Sequence, residues 1–147
     1  MPPKDEENVI LLVEDTEDDI ELTLLALERS TISHTVVVAR DGADALAYLF
    51  GTGDAATQPP EMLPQVVLLD LKLPKVSGLE VLARIRGDAR TRRLPVVILT
   101  SSSEEEDLVR SYDLGANSYI RKPVDFAQFT QAVQTMGMYW LVLNKVP

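Results

Sequence analysis

The sequence contains no cysteine, which excludes disulfides, thiol nucleophiles and thiolate metal sites and is compatible with a reducing cytoplasm. Positive charge is scarce: 14 Lys and Arg stand against 23 Asp and Glu, a net charge of -9. Non-specific attraction to a phosphate backbone works through basic side chains that release counterions, so DNA and RNA are not expected partners. No apolar run reaches the roughly 18 residues that would suggest a membrane span. The N-terminus, Met1 to Asn8, is polar and acidic with no hydrophobic export core. These absences point to a cytoplasmic protein with neither a membrane nor a nucleic-acid partner.

What is present suffices for one domain. The 147 residues are 46% hydrophobic, enough for a core without disulfide or metal staples, and no second functional domain fits beside it. Residues 1–8 read as a flexible lead, 9–136 as the domain and 137–147 as a C-terminal arm. The run Val9-Ile10-Leu11-Leu12-Val13 is apolar without alternation and stopped by charge, as in a strand buried on both faces. Similar runs occur at Thr35 to Val38, Val66 to Leu69, Val96 to Leu99 and, more weakly, Ser118 to Ile120. Helical stretches separate them at about Asp18 to Arg29, Gly42 to Phe50, Ser77 to Arg86, Glu104 to Asp113 and Phe126 to Met136. Such alternation predicts an α/β fold with parallel strands joined by right-handed crossovers.

Local signals agree. Ser77 and Ser103 are suited to helix N-caps, and Gly115 to a left-handed helix termination. The segment Gly51 to Pro64 holds two Gly and three Pro and reads as an exposed surface insertion. In the first helix Ile20, Leu24 and Leu27 share one side while Leu22, Leu25 and Ala26 are expected roughly opposite. One set meets the sheet; the other is covered by a partner or by the tail. That tail carries the only Trp within Tyr139-Trp140-Leu141-Val142-Leu143, and an acidic monomer would rarely expose it. It either folds back on its own domain or docks on another subunit. Arg84, Arg86, Arg90, Arg92 and Arg93 form a local basic cluster, either a solvated helix end and loop or a docking patch for an acidic partner.

In an open parallel sheet the carboxyl ends of the strands share one crevice. Here those ends carry Glu14-Asp15, Asp70, Thr100-Ser101 and Lys122-Pro123. Magnesium prefers oxygen ligands and keeps several waters, so the carboxylates of Glu14, Asp15 and Asp70 are enough to hold it. Without the cation their mutual repulsion would raise at least one pKa. Asp18 is near enough to join the rim, but a charge at a helix N-terminus accounts for it better. Lys122 supplies a point charge for Asp70 or for a phosphoryl oxygen, with Pro123 fixing the turn and the Lys122-Pro123 bond a candidate for the cis isomer. Thr100 offers a hydroxyl to the same place, and Ser101 a backbone N–H.

Together these motifs, with Leu69-Asp70-Leu71-Lys72-Leu73-Pro74, Gly78, Gly115-Ala116 and Tyr119-Ile120-Arg121-Lys122-Pro123, resemble a two-component receiver domain, the CheY-like response-regulator fold. The resemblance spans about Val9 to Met136. It implies a flavodoxin-like five-stranded parallel sheet, strand order 2-1-3-4-5, with helices on both faces and a C-terminal extension. It further implies that Asp70 accepts phosphate from a sensor histidine kinase, catalysing its own phosphorylation and dephosphorylation with Thr100 and Lys122. Glu14, Asp15, Asp70 and the backbone carbonyl of Lys72 would bind Mg2+, and Thr100 and Tyr119 would form a switch pair. Lys72 and Ser102 occupy positions that tune dephosphorylation in such domains.

The acidic start of the first helix, the long loop before Asp70 and the apolar tail are similar to the small regulators that work with bacterial phytochrome kinases. That narrower resemblance implies a homodimer through the arm, at Tyr139 to Leu143. The alternatives are a receiver of an unrelated kinase or a phosphorelay intermediate, a phosphatase forming an aspartyl-phosphate, a flavodoxin-like nucleotide or flavin binder, and an unphosphorylated scaffold. A haloacid-dehalogenase-type phosphatase needs an acid two residues after its nucleophile, where this chain has Lys72. A phosphate cradle after the first strand would be repelled by Glu14-Asp15-Thr16-Glu17-Asp18-Asp19.

Overall fold

The computed structural model describes residues 9–29, 35–51, 63–100 and 114–135. Five strands, β1 (Val9–Val13), β2 (Thr35–Ala39), β3 (Val66–Asp70), β4 (Val96–Thr100) and β5 (Ser118–Arg121), alternate with helices α1 (Glu17–Glu28), α2 (Gly42–Phe50), α3 (Gly78–Gly87) and α4 (Phe126–Thr135). The strands pair in the order β2-β1-β3-β4-β5, every pair parallel. Each strand after the first runs one residue beyond its apolar run, so Asp70 and Thr100 are the last residues of their strands. The ladder carries on past the apolar stop because its bonds are made by backbone: even beyond β1, the Glu14 N–H donates to the Ala39 carbonyl at 3.0 Å.

Strand alternation splits the core in two. Ile10, Leu12, Val66, Leu68, Val97 and Leu99 face α1 and α4, meeting Ile20, Leu27 and Phe129. Leu11, Val13, Val67, Leu69, Val96 and Ile98 face α2 and α3, meeting Ala45, Leu49, Leu82 and Ile85. The central strands β3 and β4 are buried throughout, whereas the edge strands β2 and β5 are only partly covered, as expected for a sheet sandwiched between helices.

The helix ends follow local chemistry. Ser77 caps α3, its hydroxyl accepting from the Glu80 N–H while the Glu80 carboxylate accepts from the Ser77 N–H, both at 3.2 Å. Asp41 caps α2 through the Asp44 N–H at 2.7 Å, a bond that holds its carboxyl below the usual carboxylate range. Gly115 has φ +90°, the left-handed backbone anticipated for it. The Lys122-Pro123 bond is cis.

Three expectations need correction. Ala26 is buried rather than grouped with the exposed Leu22 and Leu25; the inward side of α1 is Ile20, Thr23, Ala26 and Leu27, because small Ala26 lies within reach of both stripes. Leu63 and Pro64 are half-buried and buried, Leu63 packing on the core, so the end of the insertion is not exposed. Arg86 is half-buried and committed to the fold rather than to a docking patch. Its guanidinium donates to the carbonyls of Gly115, Arg92 and Leu94 and to Asn117 Oδ1, and burial lowers its pKa. Arg84 and Arg90 lie over the Phe50 ring, 5.0 and 5.7 Å from its centre; Arg92 and Arg93 are exposed.

The expectations for residues 1–8, the bulk of the insertion (52–62), Ser101, Ser102, the Ser103 cap, the helix at Glu104 to Asp113 and the arm at 137–147 lie outside the described residues. Among those described, no helix is long and apolar enough to cross a membrane.

Candidate functional site

The alternation that builds the core also aims the site. Residues 10 and 12 of β1, and 66 and 68 of β3, point to the α1 and α4 face, and the same parity carries Glu14 and Asp70 to that side at the carboxyl edge. Glu14 is fully buried and Asp70 5% exposed, while Asp15 is exposed. Carboxylate oxygens of Glu14, Asp15 and Asp70 all lie within 4.8 Å of one another.

Lys122, just past β5, reaches into this cluster. Its Nζ lies 3.1 Å from Asp70 Oδ2, 3.2 and 3.4 Å from the two Glu14 oxygens and 3.0 Å from Asp19 Oδ2. Burial alone would lower the ammonium's pKa, but the hydrogen bond to Asp19 and the charges of Asp70 and Glu14 outweigh it and raise it. Glu14 moves the other way from an ordinary carboxylate. Burial first, then the charge and hydrogen bond of Asp70, push it up to about 7 against the pull of Lys122. Crowding thus falls on one identified carboxyl.

Asp70 is held from two sides. Its Oδ1 accepts from the Lys72 N–H at 3.2 Å and its Oδ2 from Lys122. Its backbone is fixed by α3: the Gly78 N–H donates to the Leu71 carbonyl at 2.9 Å, and a Cβ on Gly78 would lie 2.2 Å from the Asp70 carbonyl oxygen. Only glycine allows that approach. Between Leu71 and α3 the chain makes a tight turn at Lys75, φ 70°, with the Val76 N–H donating to the Pro74 carbonyl at 2.8 Å.

A cavity of about 230 Å³ opens over the edge, lined by Asp15, Thr16, Asp70, Leu71, Lys72, Thr100 and Lys122. Thr100 is buried there at 5% exposure. It shares the parity of Val96 and Ile98, which face α2 and α3. Tyr119 packs on that same side, opposite Ile98 in the register, so the expected switch pair occupies one face of the sheet at neighbouring levels.

Of the site residues expected from sequence, Glu14, Asp15, Asp70, Lys72, Thr100 and Lys122 converge, with Tyr119 one level below. Asp18 is exposed at the start of α1. Asp19 is the residue sequence reasoning missed. It precedes buried Thr23 by four positions and Ala26 by seven, so it sits at the head of the inward side of α1; a stripe drawn through Thr23 would have found it.

Three clustered carboxylates at the edge of an open cavity, one of them about half-protonated at pH 7 through burial and the neighbouring Asp70, suit a hard divalent cation bound through oxygen. A model of the response regulator receiver domain matches residues 10–134. Response regulator Rcp1 of Synechocystis sp. (strain ATCC 27184 / PCC 6803 / Kazusa) is 40% identical over 146 residues, 99% of this chain and 95% of its own, and its crystal structure, in the Mn2+-bound form, superposes with a TM-score of 0.73, covering 95% of this chain and 99% of that one. The bacteriophytochrome response regulator AtBRR is 56% identical, TM-score 0.80, over 94% of this chain and 98% of its own. The phosphorylated cyanobacterial phytochrome response regulator RcpA is 43% identical, TM-score 0.75, over 96% and 99%. With its sheet order, its acidic edge and the position of its lysine accounted for, the chain belongs to the response regulator receiver domain family.

Proposed function

We propose that this receiver is switched by phosphorylation of Asp70. The observation that carries the reading is the Lys122 ammonium 3.1 Å from Asp70 Oδ2, on a cavity that Asp15 also lines, with the buried Glu14 carboxylate within 4.8 Å of both acids. An Asp70 carboxylate oxygen attacks the phosphorus of a phosphohistidine on a sensor kinase. The new O–P bond forms as the P–N bond breaks, and the electron pair leaves with the imidazole. Lys122 balances charge on the phosphoryl oxygens, the Lys72 N–H holds the other Asp70 oxygen, and Thr100 turns its hydroxyl toward the phosphoryl group. Tyr119, beside it on the same face, follows and alters the surface at β5 and α4. Transfer, and later hydrolysis in which water takes the phosphoryl group from Asp70 as inorganic phosphate, both take place among these groups, so the protein is a phosphoacceptor that catalyses its own phosphorylation and dephosphorylation.

Glu14, Asp15, Asp70 and the Lys72 carbonyl are the ligand set for a divalent cation, Mg2+ in the cell. Such a cation, when bound, neutralises charge on the incoming phosphoryl group. The Mn2+-bound form of Rcp1 and the phosphorylated form of RcpA support both halves of this reading. Likeness to AtBRR and RcpA supports a phytochrome-type kinase as the partner and bacteriophytochrome light signalling as the pathway. A cytoplasmic location follows from such a partner. Tyr139 to Leu143, apolar in a chain of net charge -9, support a homodimer through the C-terminal arm.

Intact-mass spectra of wild-type and Asp70→Ala protein after incubation with phosphoramidate, with and without Mg2+, test the reading. One phosphate adduct requiring both Asp70 and the cation is expected. An adduct on Asp70→Ala, or none on the wild type, overturns it. Native mass of the same samples is expected to show a dimer that Trp140→Ala weakens.

A further inference from the structure

We propose that Asp19 is a positioning residue for phosphoryl transfer: its carboxylate is the anchor that keeps the Lys122 ammonium at Asp70 once a divalent cation occupies Glu14, Asp15 and Asp70. The inference rests on the receiver reading above and goes beyond it.

An ammonium has three donors, and Lys122 meets three carboxylates: Glu14, Asp70 and Asp19. They are not equivalent. Glu14 and Asp70 belong to the trio within 4.8 Å that suits a cation; Asp19 does not. A divalent ion drawing on Glu14 and Asp70 weakens their pull on the ammonium and adds a like charge beside it. The lysine stem is long and flexible, and its head, on a side chain 17% exposed, has a route to water. Asp19 lies outside that trio, so the ion does not draw on its contact with the ammonium. At 3.0 Å it is also the shortest of the contacts made by Nζ.

The anchor is itself fixed. Asp19 lies in the first turn of α1, where the Ile20 N–H donates to the Thr16 carbonyl at 2.9 Å, and buried Ile20 and Leu27 pin the helix to the sheet. Its side chain is 24% exposed, enough to be screened in part but not to wander. Paired with Lys122, its charge adds little repulsion to an incoming phosphoryl group. Removing it leaves the cation-loaded site intact and its lysine loose. The chemical step is unchanged: the O–P bond forms on Asp70, the P–N bond of phosphoramidate breaks, and nitrogen, protonated beforehand, leaves as ammonia.

The test is a double-mutant cycle at saturating phosphoramidate and Mg2+. Asp19→Ala is expected to slow adduct formation on the order of two- to fivefold, and Asp19→Asn, which keeps the acceptor and the helix start, by less. In a Lys122→Ala background, Asp19→Ala is expected to have no further effect. A second readout is free of activity: the NMR resonances of the Lys122 ε-methylene should hold their position through a Mg2+ titration of the wild type and move toward free-lysine values in Asp19→Ala. Asp19→Ala at the wild-type rate, an equal loss in the Lys122→Ala background, or unchanged lysine resonances would overturn the proposal while leaving Asp70 phosphorylation standing. A wild type that takes no adduct fells the receiver reading, and this inference with it.

Discussion

Lys122→Ala removes the positive charge on which Glu14, Asp19 and Asp70 converge. Without a divalent cation three carboxylates then face one another, and losing one partner of a buried ion pair leaves an uncompensated charge. Glu14, already pushed up to about 7, takes up a proton and limits the damage. The expected loss at neutral pH is therefore about 2 kcal/mol, below the usual range for a broken buried pair. Divalent cations are expected to bind the variant more tightly, since the competing ammonium is gone. Thermal melts in chelator and in Mg2+ check both: a large deficit in chelator that the cation closes is the expected pattern, and equal deficits in both would refute it.

At the scale of elements, the site depends on how closely α3 approaches the end of β3. The Gly78→Ala Cβ would stand 2.2 Å from the Asp70 carbonyl oxygen and 2.6 Å from the Leu71 Cα, backbone atoms that cannot swing aside. Either α3 withdraws or Asp70 shifts. A destabilisation of about 2–3 kcal/mol is expected, as for overpacking, together with slower phosphorylation of Asp70 because its distance to Lys122 changes. Denaturant melts and adduct rates measure the two effects, and normal stability with a normal rate would show that α3 gives way freely. The capping box on α3 was half legible: Ser77 stood out, and Glu80 three residues on completes it. The Arg86 clamp was not. Its acceptors are backbone carbonyls of residues 92, 94 and 115 and the amide of Asn117, a set that exists only once α3, the chain entering β4 and the chain entering β5 are assembled.

For the whole molecule, the parallel strands and the acidic edge were legible because unbroken apolar runs mark buried strands and their charged stops mark the crevice, whereas the strand order came from the resemblance to receiver domains. Asp19 was not legible, since its role depends on the rotation of α1 about its own axis. That same assembly couples stability to pH. Folding raises Glu14 from an ordinary 4.5 to about 7, so the folded chain holds this proton more tightly than the unfolded one. The stabilisation is complete below pH 4.5 and is lost as pH rises from there through about 7. In chelator the melting temperature should accordingly fall between pH 5 and 8 by an amount worth on the order of 1–3 kcal/mol, and Glu14→Gln should flatten the decline. Lys122 contributes nothing to the slope in this window, because its raised pKa lies above it. A divalent cation binds the folded cluster and competes with the Glu14 proton, so its stabilisation should grow with pH over the same interval. With Mg2+ present the fall should shrink or reverse. A melting temperature that falls equally with and without the cation would mean that the pH dependence arises elsewhere and that Glu14 does not belong to the cation site.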